Sequence, residues 1–289
     1  MISILITVLL FSLLIIFFKL FERYNVVSLH AISINYLFAA GCGFSFSEQP
    51  FNFVVITQSN WILHSIAIGC MFIFVFNLLA IGTQKVGITI STVANKMSLV
   101  IPVIFSLIFY SSDIVNSLKI TGIILALTGV YFSSTNNGKL AFDKRYLWLI
   151  ATIFFVQGIA DITFNHAQKT SVQPQEMETF FGTLFLVAGL AGILAALPRI
   201  ITKKVKLKPN ALLFGILVGI PNYLTLQFFF EALNTPGLEP SIVYPLVSMG
   251  VVLTSAIAGL VFFKEKLSLT NWLGIGLAIL AIGTLAYSA

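Results

Sequence analysis

Charge is what this chain most lacks. Of its 289 residues only 9% are Asp, Glu, Lys or Arg, while 58% are hydrophobic. Soluble domains carry about 25% charged residues, so there is too little polar surface here to cover a globule in water. Cysteine is nearly absent. Cys42 and Cys70 sit alone in separate apolar runs, which excludes a disulfide framework and a thiolate metal site. The three histidines, His30, His64 and His166, are scattered and form no zinc motif. No HExxH, GxSxG, aspartate cluster or phosphate-cradling glycine loop occurs, so the sequence predicts neither an enzyme nor a cofactor. Nothing nucleotide-binding is present, and nothing resembles a nucleic-acid-binding helix or stacking platform, despite the formal charge of +6.

What is present is long apolar runs. Ten of them reach the length of roughly 20 residues that a membrane helix needs. They cover about 2–20, 29–46, 61–83, 88–110, 117–135, 146–167, 177–197, 211–233, 240–262 and 270–288. Turn residues and charges separate them, as in Ser47-Glu48-Gln49-Pro50 and Asn136-Asn137-Gly138-Lys139. Strand-like alternation is missing, which excludes a β-barrel. The first run, from Ile2 to Phe18, lacks a basic leader and a small-residue cleavage site, so it reads as a retained span. The fold expected is an all-α integral membrane protein.

A shift of 152 residues aligns Ala80 with Ala232, Thr83 with Thr235, Ile90 with Ile242, Gly122 with Gly274 and Ala126 with Ala278. A shift of 148 aligns Ala40-Gly41 with Ala188-Gly189. These matches predict two copies of a five-helix unit, residues 1–135 and 146–289. Because five is odd, the second copy enters the membrane inverted.

The cations agree. Loops after odd-numbered spans hold Lys19 and Arg23; Lys85; Lys139, Lys144 and Arg145; Arg199, Lys203, Lys204, Lys206 and Lys208; and Lys264 and Lys266. Even-numbered loops hold only Lys119 and Lys169. The positive-inside rule places the odd loops in the cytoplasm and both termini outside. Inverted helical repeats are the architecture of alternating-access carriers.

Glu265 and Gly274 stand nine residues apart after the ninth span, and Asp113 and Gly122 repeat the spacing after the fourth. Pro102-Val103 lies in span four; Thr254 takes the matching place in span nine, which carries Pro245 instead. With ten spans in inverted repeats, this pattern resembles the EamA-like branch of the drug/metabolite transporter superfamily. The glutamate–glycine motif is expected to end and pack helices, since glycine lets helices approach closely. The resemblance implies secondary transport of a small metabolite, such as an amino acid or a related anionic or zwitterionic compound, often by efflux from a bacterial cytoplasmic membrane. Sugar–proton symport and lipid or polyprenyl-carrier flipping on the same scaffold are the alternatives. Many members of that family have cytoplasmic termini; the charges here place them outside. The partners implied are a small-molecule substrate and the bilayer, with the chain a monomer or homodimer.

The exception to the polar poverty of the spans is Lys96, roughly 12 Å into span four. A lysine at mid-membrane costs at least about 2.5 kcal/mol and therefore faces the protein interior. Thr89, Thr92 and Lys96 share a helix face, with Asn95 beside them; Ser241, Tyr244 and Ser248 hold the matching places in span nine. Gln157, Asp161 and Asn165 form a stripe on span six, and Tyr223, Gln227 and Glu231 another on span eight. Candidate substrate-binding residues are Lys96, Thr92, Asn95, Tyr244, Ser248 and Gln157. Lys96 either anchors a negative substrate group, pairs with Asp161, or snorkels toward the cytoplasm. Asp161 is the candidate proton-coupling group, because a carboxylate taken out of water favours its protonated form. Glu231 and His166 are expected at the membrane interface.

Overall fold

The computed structural model describes residues 2–47, 51–109, 117–136, 139–202, 208–233, 235 and 240–288. Asp113 and the 203–207 cations lie outside them. Twelve helices account for most of the described chain: α1 (Ile2–Arg23), α2 (Ser28–Phe46), α3 (Phe53–Gln58), α4 (Ile62–Lys85), α5 (Ile88–Met97), α6 (Val100–Phe109), α7 (Ser117–Ser133), α8 (Leu147–Thr170), α9 (Met177–Ile201), α10 (Pro209–Leu233), α11 (Pro240–Phe263) and α12 (Leu269–Ser288). Two two-residue strands, Thr135–Asn136 and Lys139–Leu140, pair antiparallel. Among the described residues, seven stretches are long and apolar enough to cross a membrane: Ile2–Arg23, Ser28–Phe46, Ile62–Lys85, Lys144–Gln168, Pro174–Pro198, Pro209–Leu233 and Leu246–Phe263. The protein is thus predominantly helical and has the make-up of a multi-pass membrane protein.

Local chemistry sets the helix ends. Asn52 caps α3 by accepting the N–H groups of Val54 and Val55. Pro174 opens a single 3-10 turn leading into α9, with Gln173 and Glu176 forming a capping box around it. Asp143 precedes α8 and accepts from the Arg145 backbone and guanidinium, which hold its carboxyl below the usual range.

The described part of the apolar run 88–110 forms two helices and not the one span its hydropathy suggests. α5 ends at Met97, α6 starts at Val100, and Ser98 and Leu99 make a turn. Pro102 supplies the reason. It has no N–H to donate to the Ser98 carbonyl, and its ring crowds that carbonyl. The Ser98 oxygen instead accepts the Ile101 N–H at 2.9 Å. In α11, Thr254 occupies the place aligned with Pro102, keeps its N–H, and the helix continues to Phe263.

The chain clusters into two compact units, each drawing on both halves of the sequence. The first comprises Met1–Lys19, Leu78–Gly158 and Leu224–Ala289; the second comprises Leu20–Asn77 and Ile159–Tyr223. In the first unit α7 lies along α12, and α5 packs on α11. One cluster joins Val93 and Met97 of α5 to Val252 and Ala256 of α11 and Ile275, Ala278 and Ile282 of α12. Another joins Ile4, Val8 and Ile15 of α1 to Val243, Val247 and Val251 of α11, with Ile88. A methyl group on Gly274 would collide with the Ser133 backbone, so only glycine permits the approach of α12 to α7. In the second unit α2 lies along α9. There Gly43 faces Gly182, and a Cβ on Gly43 would stand 2.8 Å from the Gly182 Cα.

Candidate functional site

α5 is ten residues long, and both of its ends are matched by charge. Its N-terminal N–H groups have no partner within the helix. Glu265, from the segment linking α11 to α12, supplies one. Its Oε1 accepts the Ile88 N–H at 2.6 Å; its Oε2 accepts the Thr89 N–H at 3.3 Å and the Thr89 hydroxyl at 3.1 Å. Gly87 precedes them at φ +127°, a conformation that only glycine adopts readily. The glutamate of the Glu265–Gly274 motif is therefore a helix cap delivered from a distant segment. Its glycine is a packing contact. Asn271 between them donates to the Ser133 and Thr135 carbonyls at 2.7 and 3.0 Å, tying the start of α12 to the end of α7.

At the other end Lys96 lies in the last turn of α5. Its ammonium sits over the Phe11 ring of α1, 3.5 Å from the centroid. A cation at a helix C-terminus gains about 0.3–1 kcal/mol, up to ~2 in partly buried geometry. A desolvated cation–π contact gains about 2 kcal/mol. Lys96 is half-buried, and the two contacts offset part of the cost, at least about 2.5 kcal/mol, of a lysine at mid-membrane.

Beside Lys96, the buried Asn95 amide donates to the Gln157 side-chain oxygen of α8 at 2.9 Å. The structure thus joins two of the residues singled out from the sequence. The Asn95 carbonyl accepts the Ser98 hydroxyl at 2.5 Å, inside the turn that ends α5. Thr92 is fully buried, and its hydroxyl and the Asn95 side-chain oxygen have no hydrogen-bond partner among the described residues. Thr89, expected on the same polar face, is committed to Glu265. Ser248 is buried on α11. The side chains of Ser241 and Tyr244 fall outside those described. Gln157 belongs to the first unit, whereas Asp161 and Asn165 of the same stripe belong to the second. Glu231 and His166 are exposed.

The second unit holds a polar set that sequence reasoning missed. The Tyr223 hydroxyl donates to Glu178 at 2.6 Å, and Phe46 stacks on the Tyr223 ring with centroids 5.6 Å apart. Asn222 donates to Asn35 at 3.1 Å. The His64 and His166 rings stand 5.6 Å apart. Tyr223 was visible as part of a stripe on span eight. Glu178 stands at the edge of span seven, where an acid reads as interfacial and gives no sign of a partner 45 residues away.

No family model matches the chain. It is 26% identical over 275 residues to an uncharacterized protein of Haemophilus influenzae, a match spanning 93% of this chain and 92% of that one. A protein of known crystal structure, 14% identical, shares the fold with a TM-score of 0.60 over 98% of this chain and 95% of its own.

Proposed function

We propose that this protein is a secondary active transporter of the EamA-like kind, working by alternating access on a small metabolite with an anionic or zwitterionic group. The observation carrying this reading is the α5–α6 break, placed inside an apolar run and flanked by Lys96, Asn95 and Thr92. Carriers build midplane sites at discontinuous helices, where backbone and polar side chains replace water around a substrate. A lysine there is suited to a carboxylate or phosphate.

The ten-span inverted repeat belongs to the same reading. The repeat equates spans two and seven, three and eight, four and nine, and five and ten. Three of these pairs, α2 with α9, α5 with α11, and α7 with α12, are in direct contact. Pairing of equivalents is what an internal two-fold axis produces, and it supports the proposal. The loop charges favour external termini, and the resemblance implies a bacterial cytoplasmic membrane with efflux as the working direction.

The test is ligand-dependent thermal stability of purified wild type and Lys96→Met against amino acids, sugars and phosphorylated metabolites, followed by counterflow in proteoliposomes. An acidic or zwitterionic compound is expected to stabilise wild type, to exchange across the bilayer, and to lose both effects in Lys96→Met. Uncharged sugars acting alone would favour the symport reading. Exchange of lipid-linked cargo alone would favour a flippase. A folded Lys96→Met protein with unchanged ligand response would remove Lys96 from the site.

A further inference from the structure

Lys19 at the end of α1, Lys85 at the end of α4 and Lys266 after α11 are far apart in sequence, yet they line one cavity of about 230 Å³ in the first unit. Glu265, Asn271 and Gly87 complete its working wall. We propose that this cavity is a binding site for a phosphate-class dianion, separate from the Lys96 region.

The polar atoms of the wall explain the chemistry. The Glu265 carboxylate is directed at the α5 N-terminus, where it accepts three hydrogen bonds. Asn271 is held by Ser268 on its oxygen and by the Ser133 and Thr135 carbonyls on its nitrogen. These groups build a fixed frame. Lys19, Lys85 and Lys266 bring positive charge to the lining, beside the Glu265 carboxylate. Lys19 places one donor on the Gln84 carbonyl at 3.3 Å, and an ammonium has three. Lys85 and Lys266 are exposed at the mouth.

Three lysines lining one cavity suit a compact, multiply charged anion, for which lysine acts as a point charge. The volume is below the roughly 300–1,000 Å³ of pockets for drug-sized ligands, so a single phosphate group fits better than a whole metabolite. The positive-inside pattern assigns all three lysines to the cytoplasmic side. A free phosphate and the headgroup of an anionic phospholipid both carry this chemistry there.

The experiment uses the purified full chain with inorganic phosphate as the probe, against chloride at equal ionic strength. Nanodiscs of phosphatidylcholine alone and with phosphatidylglycerol form the second arm, with native mass spectrometry for retained lipid. For a free-anion site, phosphate raises Tm by roughly 2 °C at about ten times Kd. The rise disappears in Lys85→Gln/Lys266→Gln and survives in Lys208→Gln. For a headgroup site, phosphate has no effect, phosphatidylglycerol stabilises and is retained, and the double variant loses both. Should the double variant fail to fold, each single variant is expected to weaken binding about fivefold. The proposal is overturned if neither probe acts, or if either acts equally on the Lys85 and Lys266 variants. None of these readouts depends on transport, so the site stands or falls independently of the carrier reading.

Discussion

The carboxylate of Glu265 accepts the backbone N–H of Ile88 at 2.6 Å across 177 residues of sequence. A helix inside an apolar run is thus started by an acid from another part of the chain. Helix caps are usually local, from a Ser, Thr, Asp or Asn just before the first turn. Here that position is Gly87, which has no side chain to offer.

Removing this cap should have a defined cost. Glu265→Ala leaves the α5 N–H groups without their acceptor and is expected to destabilise the protein by about 1–3 kcal/mol. Glu265→Gln keeps an acceptor but loses the charge at the helix start, and should cost about half as much. Denaturant unfolding of the purified variants gives the ranking. Faster amide exchange at Ile88 and Thr89 in Glu265→Ala would place the loss at α5. Equal stability of Glu265→Ala and wild type would contradict the capping role.

The Asn95–Gln157 hydrogen bond is open to a double-mutant cycle. Asn95→Ala and Gln157→Ala each remove one partner, and their coupling should be about 0.5–1.5 kcal/mol. Additive effects within about 0.3 kcal/mol would show that the two amides act separately.

Pro102→Ala restores an N–H one turn beyond Ser98 and should lengthen the helical run through the break. Thermal stability should hold or rise; on the carrier reading proposed above, transport of an identified substrate slows. Spin labels at positions 94 and 104 would read the straightening as a narrower distance distribution. Unchanged distances together with unchanged transport would show that Pro102 does not impose the break.

Two glycines of α12 should respond oppositely to one added methyl group. A Cβ at Gly274 would overlap the Ser133 backbone, so Gly274→Ala is expected to cost about 1–3 kcal/mol or more. A Cβ at Gly276 would meet nothing within 4 Å, and Gly276→Ala should be neutral or gain up to about 1 kcal/mol from helix propensity. Thermal unfolding of the pair decides it, and a neutral Gly274→Ala would mean that α7 and α12 are not held at their observed separation.

Much of this protein was determined by the sequence alone, for reasons that act over short distances. Long apolar runs must become helices wherever water is excluded, because each run then satisfies its own backbone. That is why Ile2–Arg23, Ile62–Lys85 and Pro209–Leu233 lie close to where hydropathy puts them. The spacing of Glu265 and Gly274 announced a helix-end and packing device before their partners were known. Lys96 stood out as a charge whose cost demanded compensation.

Other features depended on which distant segments meet. The division of 88–110 into α5 and α6 turns on one missing hydrogen bond at Pro102, too small a change for hydropathy to register. Glu265 could not be matched to α5, nor Gly274 to Ser133, nor Tyr223 to Glu178, because sequence separation carries no record of spatial contact. Phe11 was one of 28 phenylalanines until the fold set its ring beneath Lys96. The convergence of Lys19, Lys85 and Lys266 has the same origin. Tertiary packing decided where each charge found its compensation. In a chain with so few charges, those choices set where chemistry can occur.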